Sequence, residues 1–463
     1  MKTSASSKRI RLFSGAWDLL RLVPFLCIGV LLLNTFRLYE GGAYFWLDDF
    51  NNLYWVQRTN FAQMVRQVVN PDPAYFRPVG MICYWALMRL FGLNSAPYHW
   101  LAWLLHTANT ALAYFLLRHF TKSHAGAAVG AMLFASQAVF ADLYWDFGTI
   151  FELVAVFFSF VGTLVWTSER RGWWQVLLAS LALLLAMKAK EMAITMPFVW
   201  FSYDLLLRKN MERRLAAHWA LPGGLALWYG ITKALWLKGL VPSHPYYTII
   251  NGWTLAAGFG TYFNMLFKTN FPWQTWCIGM LLLLLLFVSS RSRVGIFFQL
   301  YIFVTFLPVI FLLNHRFAFF WYLPFLGVCG LAAVLTNTVV GLIPTQTRQW
   351  VAKTGALAVF ALLCWGTFLL HEAANRPQRS WVKDRASEYR ASITGLAALP
   401  PPPRDETIFF DSRPSLFDEG LLLSATQVAF RRTDLHAKLV SEFPSEARYR
   451  LRFQESRLIE LPR

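Results

Sequence analysis

The sequence predicts an all-α polytopic membrane protein with a small α/β appendage after its last span. Three observations predict it. Hydrophobic residues fill 56% of the 463 positions and charged residues only 15%, more apolar surface than a soluble chain of this length can hide. The excess arrives in runs long enough to cross a bilayer, which takes about 17–25 residues each. The net charge of +18 is spread over short loops between those runs, where anionic lipid attracts it, and this distribution favours membrane lipids over nucleic acid as partners.

The basic stretch Met1–Arg11 precedes the apolar run Leu19–Leu33 with no small-residue cleavage site after it. That run reads as a retained first span, residues 17–36, not a signal peptide. Further apolar segments follow at 76–93, 97–118, 125–141, 147–167, 172–189, 191–207, 215–237, 254–267, 273–290, 294–313, 317–338 and 350–371. Two are poor spans. Segment 76–93 opens with Arg77–Pro78 and holds Arg89; segment 254–267 is short, glycine-rich and followed by Lys268 and Pro272.

The basic loops settle both. If 76–93 and 254–267 lie along the outer surface as juxtamembrane helices, about eleven spans remain, with Arg118–Lys122, Arg170–Arg171, Arg208–Arg214, Arg291–Arg293 and Arg348–Lys353 all on the inside. The expectation is a multi-pass protein of the inner (plasma) membrane, N-terminus cytoplasmic and C-terminus extracytoplasmic. Residues 1–371 form the membrane domain, with outer loops at about 37–97 and 238–272, and residues 372–463 form a soluble domain. That tail has a proline hinge at Pro400–Pro403, a strand-like run at Thr407–Phe410 and a helix-like stretch at Leu421–Phe430; at about 90 residues it can hold a modest core.

Ionisable residues are expensive within spans, so the exceptions point to function. On this topology they gather at the outer helix ends. Asp48 and Asp49 follow the first span in FWLDDFNNLYW, and Arg77 stands in PAYFRPVG. Asp142 and Asp146 share the turn FADLYWDF, with Glu152 deeper; Lys188, Lys190 and Glu191 mark MKAKEMAITMP; His315 and Arg316 open LLNHRFAFFWYLP. Each has a plainer explanation. Paired aspartates after a span are often a solvated helix end, Lys188 and Lys190 can snorkel to the interface, and Arg77 or His315–Arg316 can anchor among headgroups. His99 and His106 read as packing or hydrogen-bonding residues. Five cysteines (Cys27, Cys83, Cys277, Cys329, Cys364) lie in apolar stretches without metal-ligand spacing and read as packing residues.

The long outer loop with an acidic pair, followed by YFRPVG, resembles the GT-C glycosyltransferases, particularly the bacterial branch near protein O-mannosyltransferases and aminoarabinose lipid A transferases. GLNSAPYHWLAWLLHTANTALAYFLLRHF resembles the family stretch G-x-N…Y-H-x-x-N-x-x-x-H, with Trp103 where asparagine is common. ASQAVFADLYW resembles H-P-x-x-x-E-x-V-x-W, with Gln137 near the histidine, Asp142 in the acidic and Trp145 in the tryptophan position. KAKEMAITMPFVWFSYD and HRFAFFWYLPFLG resemble K-E-x-x-x-x-x-P…D and E-R-Y-x-Y-L-P-x-x-G. The resemblance covers roughly residues 17–340.

It implies a GT-C fold and a hexosyl- or pentosyltransferase that uses a polyprenyl-phosphate sugar and acts on a glycan, lipid or protein acceptor, with inversion. The family's catalytic base falls on Asp48, with Asp49 completing the pair. Asp142 would position the acceptor or a divalent metal ion, the one candidate cofactor. Arg77, Lys190 and Arg316 would neutralise the phosphate, with Glu191 and His315 beside them as substrate-side residues. A multi-pass transporter or flippase of a lipid-linked or small polar substrate is the alternative; it needs charges at mid-depth, where Glu152 and Lys233 are the tempting ones. A catalytically inert scaffold of the same fold is a third reading, against which the intact acidic pair argues.

Overall fold

The computed structural model describes residues 25–33, 44–70, 77–137, 143, 146–169, 171–208, 215–342, 349–454 and 457–462. Helices dominate, as the apolar runs predict. Ala96–Thr121, Phe147–Trp166 and Arg293–Ile310 are long and apolar enough to cross a membrane by length and composition. Shorter apolar helices, among them His124–Ser136, Trp173–Ala189, Trp273–Ser289 and Phe325–Gly341, pack beside them. The described helices do not by themselves return the expected count of about eleven spans. Segment 191–207, for instance, begins as the 3₁₀ turn Glu191–Thr195 before Met196–Leu206 becomes α-helical, and of the first span only residues 25–33 are described.

Local chemistry explains the boundaries. Ser123 caps the His124–Ser136 helix by accepting from the Gly126 amide at 3.1 Å, satisfying a donor the first turn leaves unpaired. A β-carbon on Gly126 would stand 2.7 Å from the Ala333 carbonyl and one on Gly130 2.8 Å from that of Cys329. This helix and Phe325–Gly341 therefore meet backbone to backbone, the contact that small residues permit inside a bilayer. The Trp273–Ser289 helix does the reverse. Leu281, Leu282, Leu285 and Leu286 are each more than half exposed and Phe287 is its one buried residue, the surface of a helix that faces lipid.

The two segments read as poor spans are short helices. Pro78–Phe91 starts with proline at its first position, where the missing amide costs nothing, and buries Val79, Met81, Tyr84 and Leu87. Gly252–Phe267 is capped by Asn251, which accepts from the Thr254 amide at 2.8 Å.

The last helix, Gln349–Ala398, is continuous for 50 residues, about 75 Å at 1.5 Å per residue. It runs through position 371, where the apolar run ends and the sequence suggested the soluble tail begins. The helix persists because Ala386, Tyr389, Ile393 and Leu396, spaced three and four apart, are buried as one amphipathic stripe. Tyr389 lies 6.1 Å from Phe50 and 4.9 Å from Phe417, ring centroid to ring centroid.

After Pro400–Pro403 comes a four-stranded sheet in the order β2-β1-β3-β4, comprising β1 Thr407–Phe410, β2 His436–Leu439, β3 Tyr449–Gln454 and β4 Arg457–Glu460. β1 is parallel to β2 and β3, while β3 and β4 form an antiparallel pair. The Glu419–Phe430 helix, started by an Asp418 cap, docks this unit onto the Leu47–Arg58 helix. Gln57 Nε2 donates to the Gln427 carbonyl at 3.2 Å, Arg58 Nη2 to that of Thr433 at 2.8 Å, and Ser424 Oγ to Asn51 Oδ1 at 3.0 Å. The appendage thus seats on the very helix that carries the acidic pair.

Candidate active site

Asp48 and Asp49 occupy the first turn of Leu47–Arg58, and the helix separates them. Asp49 points inward, fully buried. One of its oxygens accepts the Trp46 amide at 2.7 Å and the other the Tyr84 hydroxyl. It closes the helix start and ties it to Pro78–Phe91. The sequence groups Asp49 with the catalytic carboxylates, but it has this supporting position because the residue one step along a helix turns to another face. Asp48 is exposed. Its β-carbon lies 3.6 Å from where one on Gly148 would stand, against the turn in which Asp146 accepts the Gly148 amide at 2.8 Å. Asp142 and Trp145 of that turn lie outside the described residues, so the metal-positioning expectation for Asp142 does too. Among the described residues no group of three or more His, Cys, Asp or Glu side chains is placed to hold a metal ion.

Burial pushes the Asp49 carboxyl up from its ordinary 3.8 to about 7, against the lowering effect of its Trp46 and Tyr84 bonds; the Asp48 charge adds to the rise. A raised carboxyl pKa means the folded state holds a proton that the unfolded chain has released. Its contribution to stability is complete below pH 3.8 and is lost as pH rises through about 7. The melting temperature of the protein is expected to fall between pH 5 and pH 8 by more than that of Asp49→Asn, which has no proton there to lose. Parallel pH profiles for the two proteins would contradict this account of Asp49.

A second cluster lines a cavity of about 240 Å³. Arg77 reaches into it from just before Pro78–Phe91, and its Nε and Nη2 engage Glu191 at 3.1–3.3 Å. Nη2 also donates to the Tyr246 hydroxyl at 3.2 Å. Lys190, extended between Trp173–Ala189 and the 3₁₀ turn, pairs with buried Glu152 and lies 5.3 Å above the Phe320 ring. Lys233 joins from Ala220–Leu237, and Tyr229, Val309 and Leu312 supply apolar wall. Three cations against two carboxylates leave the cavity net positive, with planar and pointed donors side by side.

His315 flanks the cluster, its ring 4.7 Å from that of Tyr246. Burial holds its imidazole down at about 4, and Lys190 and Arg77 push the same way. It is neutral at physiological pH, able to exchange a proton or a hydrogen bond but not to add charge. Arg316 is a correction to the sequence reading. Its Nε donates to the Leu312 carbonyl at 2.7 Å and its Nη1 to Thr261 Oγ1 at 3.2 Å, and it is not among the residues lining the cavity. His315 is turned toward Tyr246, while Arg316 braces the Gly252–Phe267 helix. Lys188 is likewise elsewhere: its ammonium donates to the carbonyls of Gln67 at 3.2 Å and of Asn70, closing the C-terminal end of the Phe61–Val69 helix. His106 has the packing role expected of it, buried with Nδ1 2.9 Å from the Tyr322 hydroxyl.

One helix joins the two clusters. Arg77 and Tyr84 are seven positions apart, about 10 Å along Pro78–Phe91 and on one face of it. Phe151 lies between them, 5.6 Å from the Arg77 guanidinium and 6.1 Å from the Tyr84 ring. Sequence reasoning placed neither Lys233 nor Tyr246 in the site. Lys233 had a signal, an ammonium in an apolar run, which pointed equally to a transport path. Tyr246, in SHPYYTII, had none, because its role comes from a loop folded against the Asn314 turn, where Asn314 Nδ2 donates to the Pro242 carbonyl at 2.8 Å.

No protein-family model matches the chain and no curated protein matches it. Solved structures do. The crystal structure of ArnT from Cupriavidus metallidurans in the apo state superposes with a TM-score of 0.55 at 14% identity, covering 92% of this chain and 86% of that one. The same protein bound to undecaprenyl phosphate gives 0.52 at the same identity and coverage. The chain shares the fold of these structures, the fold that the resemblance of its ordered motifs implies.

Proposed function

We propose that this protein transfers a sugar from a polyprenyl-phosphate donor to an acceptor hydroxyl at the outer membrane face, with inversion at the anomeric carbon. The observation that carries this reading is the cavity where Arg77, Lys190 and Lys233 converge beside an apolar wall. A phosphate on a hydrocarbon tail needs both halves of that surface. One of the two similar structures is bound to undecaprenyl phosphate, the same chemical class. The residues that a transport path would need, Glu152 and Lys233, are drawn into this cluster and do not form a separate mid-depth pair, which favours the transferase over the transporter.

In the reaction the acceptor hydroxyl attacks the anomeric carbon while exposed Asp48 takes its proton. The bond from that carbon to the phosphate oxygen breaks, and its electron pair leaves on the polyprenyl phosphate. Arg77 and the two lysines balance the charge that develops, Arg77 through the Nη1 end of its guanidinium fork, since Nε and Nη2 engage Glu191 and Tyr246. Glu191 and Tyr246 hold that fork in place before the donor arrives. The sugar has to bridge the phosphate site and the base, whose two clusters meet along the Pro78–Phe91 helix.

Binding tests the phosphate half alone. Purified protein is expected to bind a polyprenyl phosphate at least ten-fold more tightly than the matching polyprenol, since a charge-assisted hydrogen bond contributes about 1.5–3 kcal/mol. Equal affinity for the two would remove the cavity from the reading.

A further inference from the structure

A second polar recess lies far from the acidic pair. It has a volume of about 500 Å³ and is lined by Phe115, Arg118, His119, Lys122, His124 and Leu164. Arg118 and Lys122 stand one helical turn apart at the end of Ala96–Thr121, both exposed. Tyrosines steady the two imidazoles: His119 Nε2 is 3.3 Å from the Tyr203 hydroxyl and His124 Nδ1 3.0 Å from that of Tyr114. Among the described residues no carboxylate lines the recess, although Glu169 lies near His119. The apolar part of the lining is Phe115, 51% exposed, and Leu164.

The position of the recess identifies what it meets. Tyr98, near the start of the same helix, packs edge-on against Phe147, 5.1 Å between centroids, beside the acidic turn. From Tyr98 to Arg118 is twenty positions, about 30 Å of helix, and the hydrocarbon core of a bilayer is about 30 Å thick. The recess therefore sits at the opposite membrane surface, cations at headgroup depth and a phenyl ring below them at the level of the acyl chains.

We propose that this recess binds the phosphodiester headgroup of an anionic phospholipid from the leaflet opposite the acidic pair. Arg118 and Lys122 supply the charge, the imidazoles supply directional hydrogen bonds, and Phe115 with Leu164 contacts the upper acyl chain. Basic pockets between spanning helices select anionic headgroups in this manner. The assignment is independent of glycosyl transfer and stands or falls on lipid binding alone.

The test is retention of lipid by the full-length protein taken from bilayers of equal phosphatidylglycerol and phosphatidylcholine, read by native mass spectrometry on the monodisperse fraction. The unmodified protein is expected to retain phosphatidylglycerol in preference. Arg118→Ala with Lys122→Ala should lower that retention by about thirty-fold, two surface cations' worth. Exchange of the two cations, Arg118→Lys with Lys122→Arg, should preserve most of it. Arg291→Ala with Arg293→Ala, in another basic loop, should leave it unchanged. Equal retention of both lipids by the unmodified protein, which needs no variant to fold, overturns the proposal. So does equal loss in the Arg291/Arg293 variant, which would show a diffuse charge effect. Complete displacement of the lipid by millimolar inorganic phosphate also overturns it, leaving a site for soluble anions.

Discussion

Asp48→Asn is expected to lower turnover by about 10²-fold or more while donor affinity changes little, the usual scale for losing a general base. The amide keeps the size and polarity of the carboxylate but cannot accept the acceptor's proton. Asp48 is the exposed member of the pair, so the substitution disturbs no buried contact. Asp49→Asn should act in another way. Its carboxyl accepts the Trp46 amide and the Tyr84 hydroxyl, so the loss should appear as lowered stability of the Leu47–Arg58 helix, with turnover per folded molecule much less affected. Single-turnover kinetics on both variants separate the cases. A large chemical defect in Asp49→Asn with near-normal Asp48→Asn would move the base by one residue.

Arg77→Ala should produce the second large effect, and it acts twice. The guanidinium fork holds Glu191 and Tyr246, and removing one partner of this half-buried ion pair leaves the other charge behind, at a cost below the roughly 3–5 kcal/mol of a fully buried pair. Folding yield should therefore drop sharply. Arg77→Met combined with Glu191→Gln removes both charges and should recover the fold without recovering the donor. Arg77→Lys keeps the charge but loses the fork, and donor affinity should weaken about ten- to a hundred-fold, matching 1.5–3 kcal/mol for a charged hydrogen bond. Arg316→Lys provides the contrast. Its partners are Leu312 and Thr261, so affinity for a non-reactive donor analogue should stay within a few-fold of normal. Tight binding by Arg77→Lys would show that the phosphate does not lie on this fork.

Much of this organisation is legible in the residues themselves. Arg77 before Pro78 marks a helix start that places a cation in the cavity, and the strand-like run at Thr407–Phe410 is β1. Lys190 and Glu191 do sit together with Arg77, brought there by the turn between two helices that their charge in an apolar stretch signals. What spacing cannot convey is direction. The pair Asp48–Asp49 and the pair His315–Arg316 each split: one step along a helix turns Asp49 about 100° away from Asp48, and His315 and Arg316 reach different partners. Neighbours in sequence thus take unlike roles. Nor does local pattern show that Phe50 would be wedged beside Tyr389 and Phe417, partners that lie more than three hundred positions away and dock the appendage onto the acidic helix.

The central claim is that donor is consumed, not moved. Purified protein in liposomes, given a polyprenyl-phosphate sugar labelled in the sugar together with membrane extract as acceptor source, tests it in one measurement. The account predicts that label leaves the lipid, appears on an acceptor, and is matched mole for mole by released polyprenyl phosphate, with none of this in Asp48→Asn. Label that stays on intact donor and only changes leaflet, at the same rate in both proteins, would contradict it and establish a flippase.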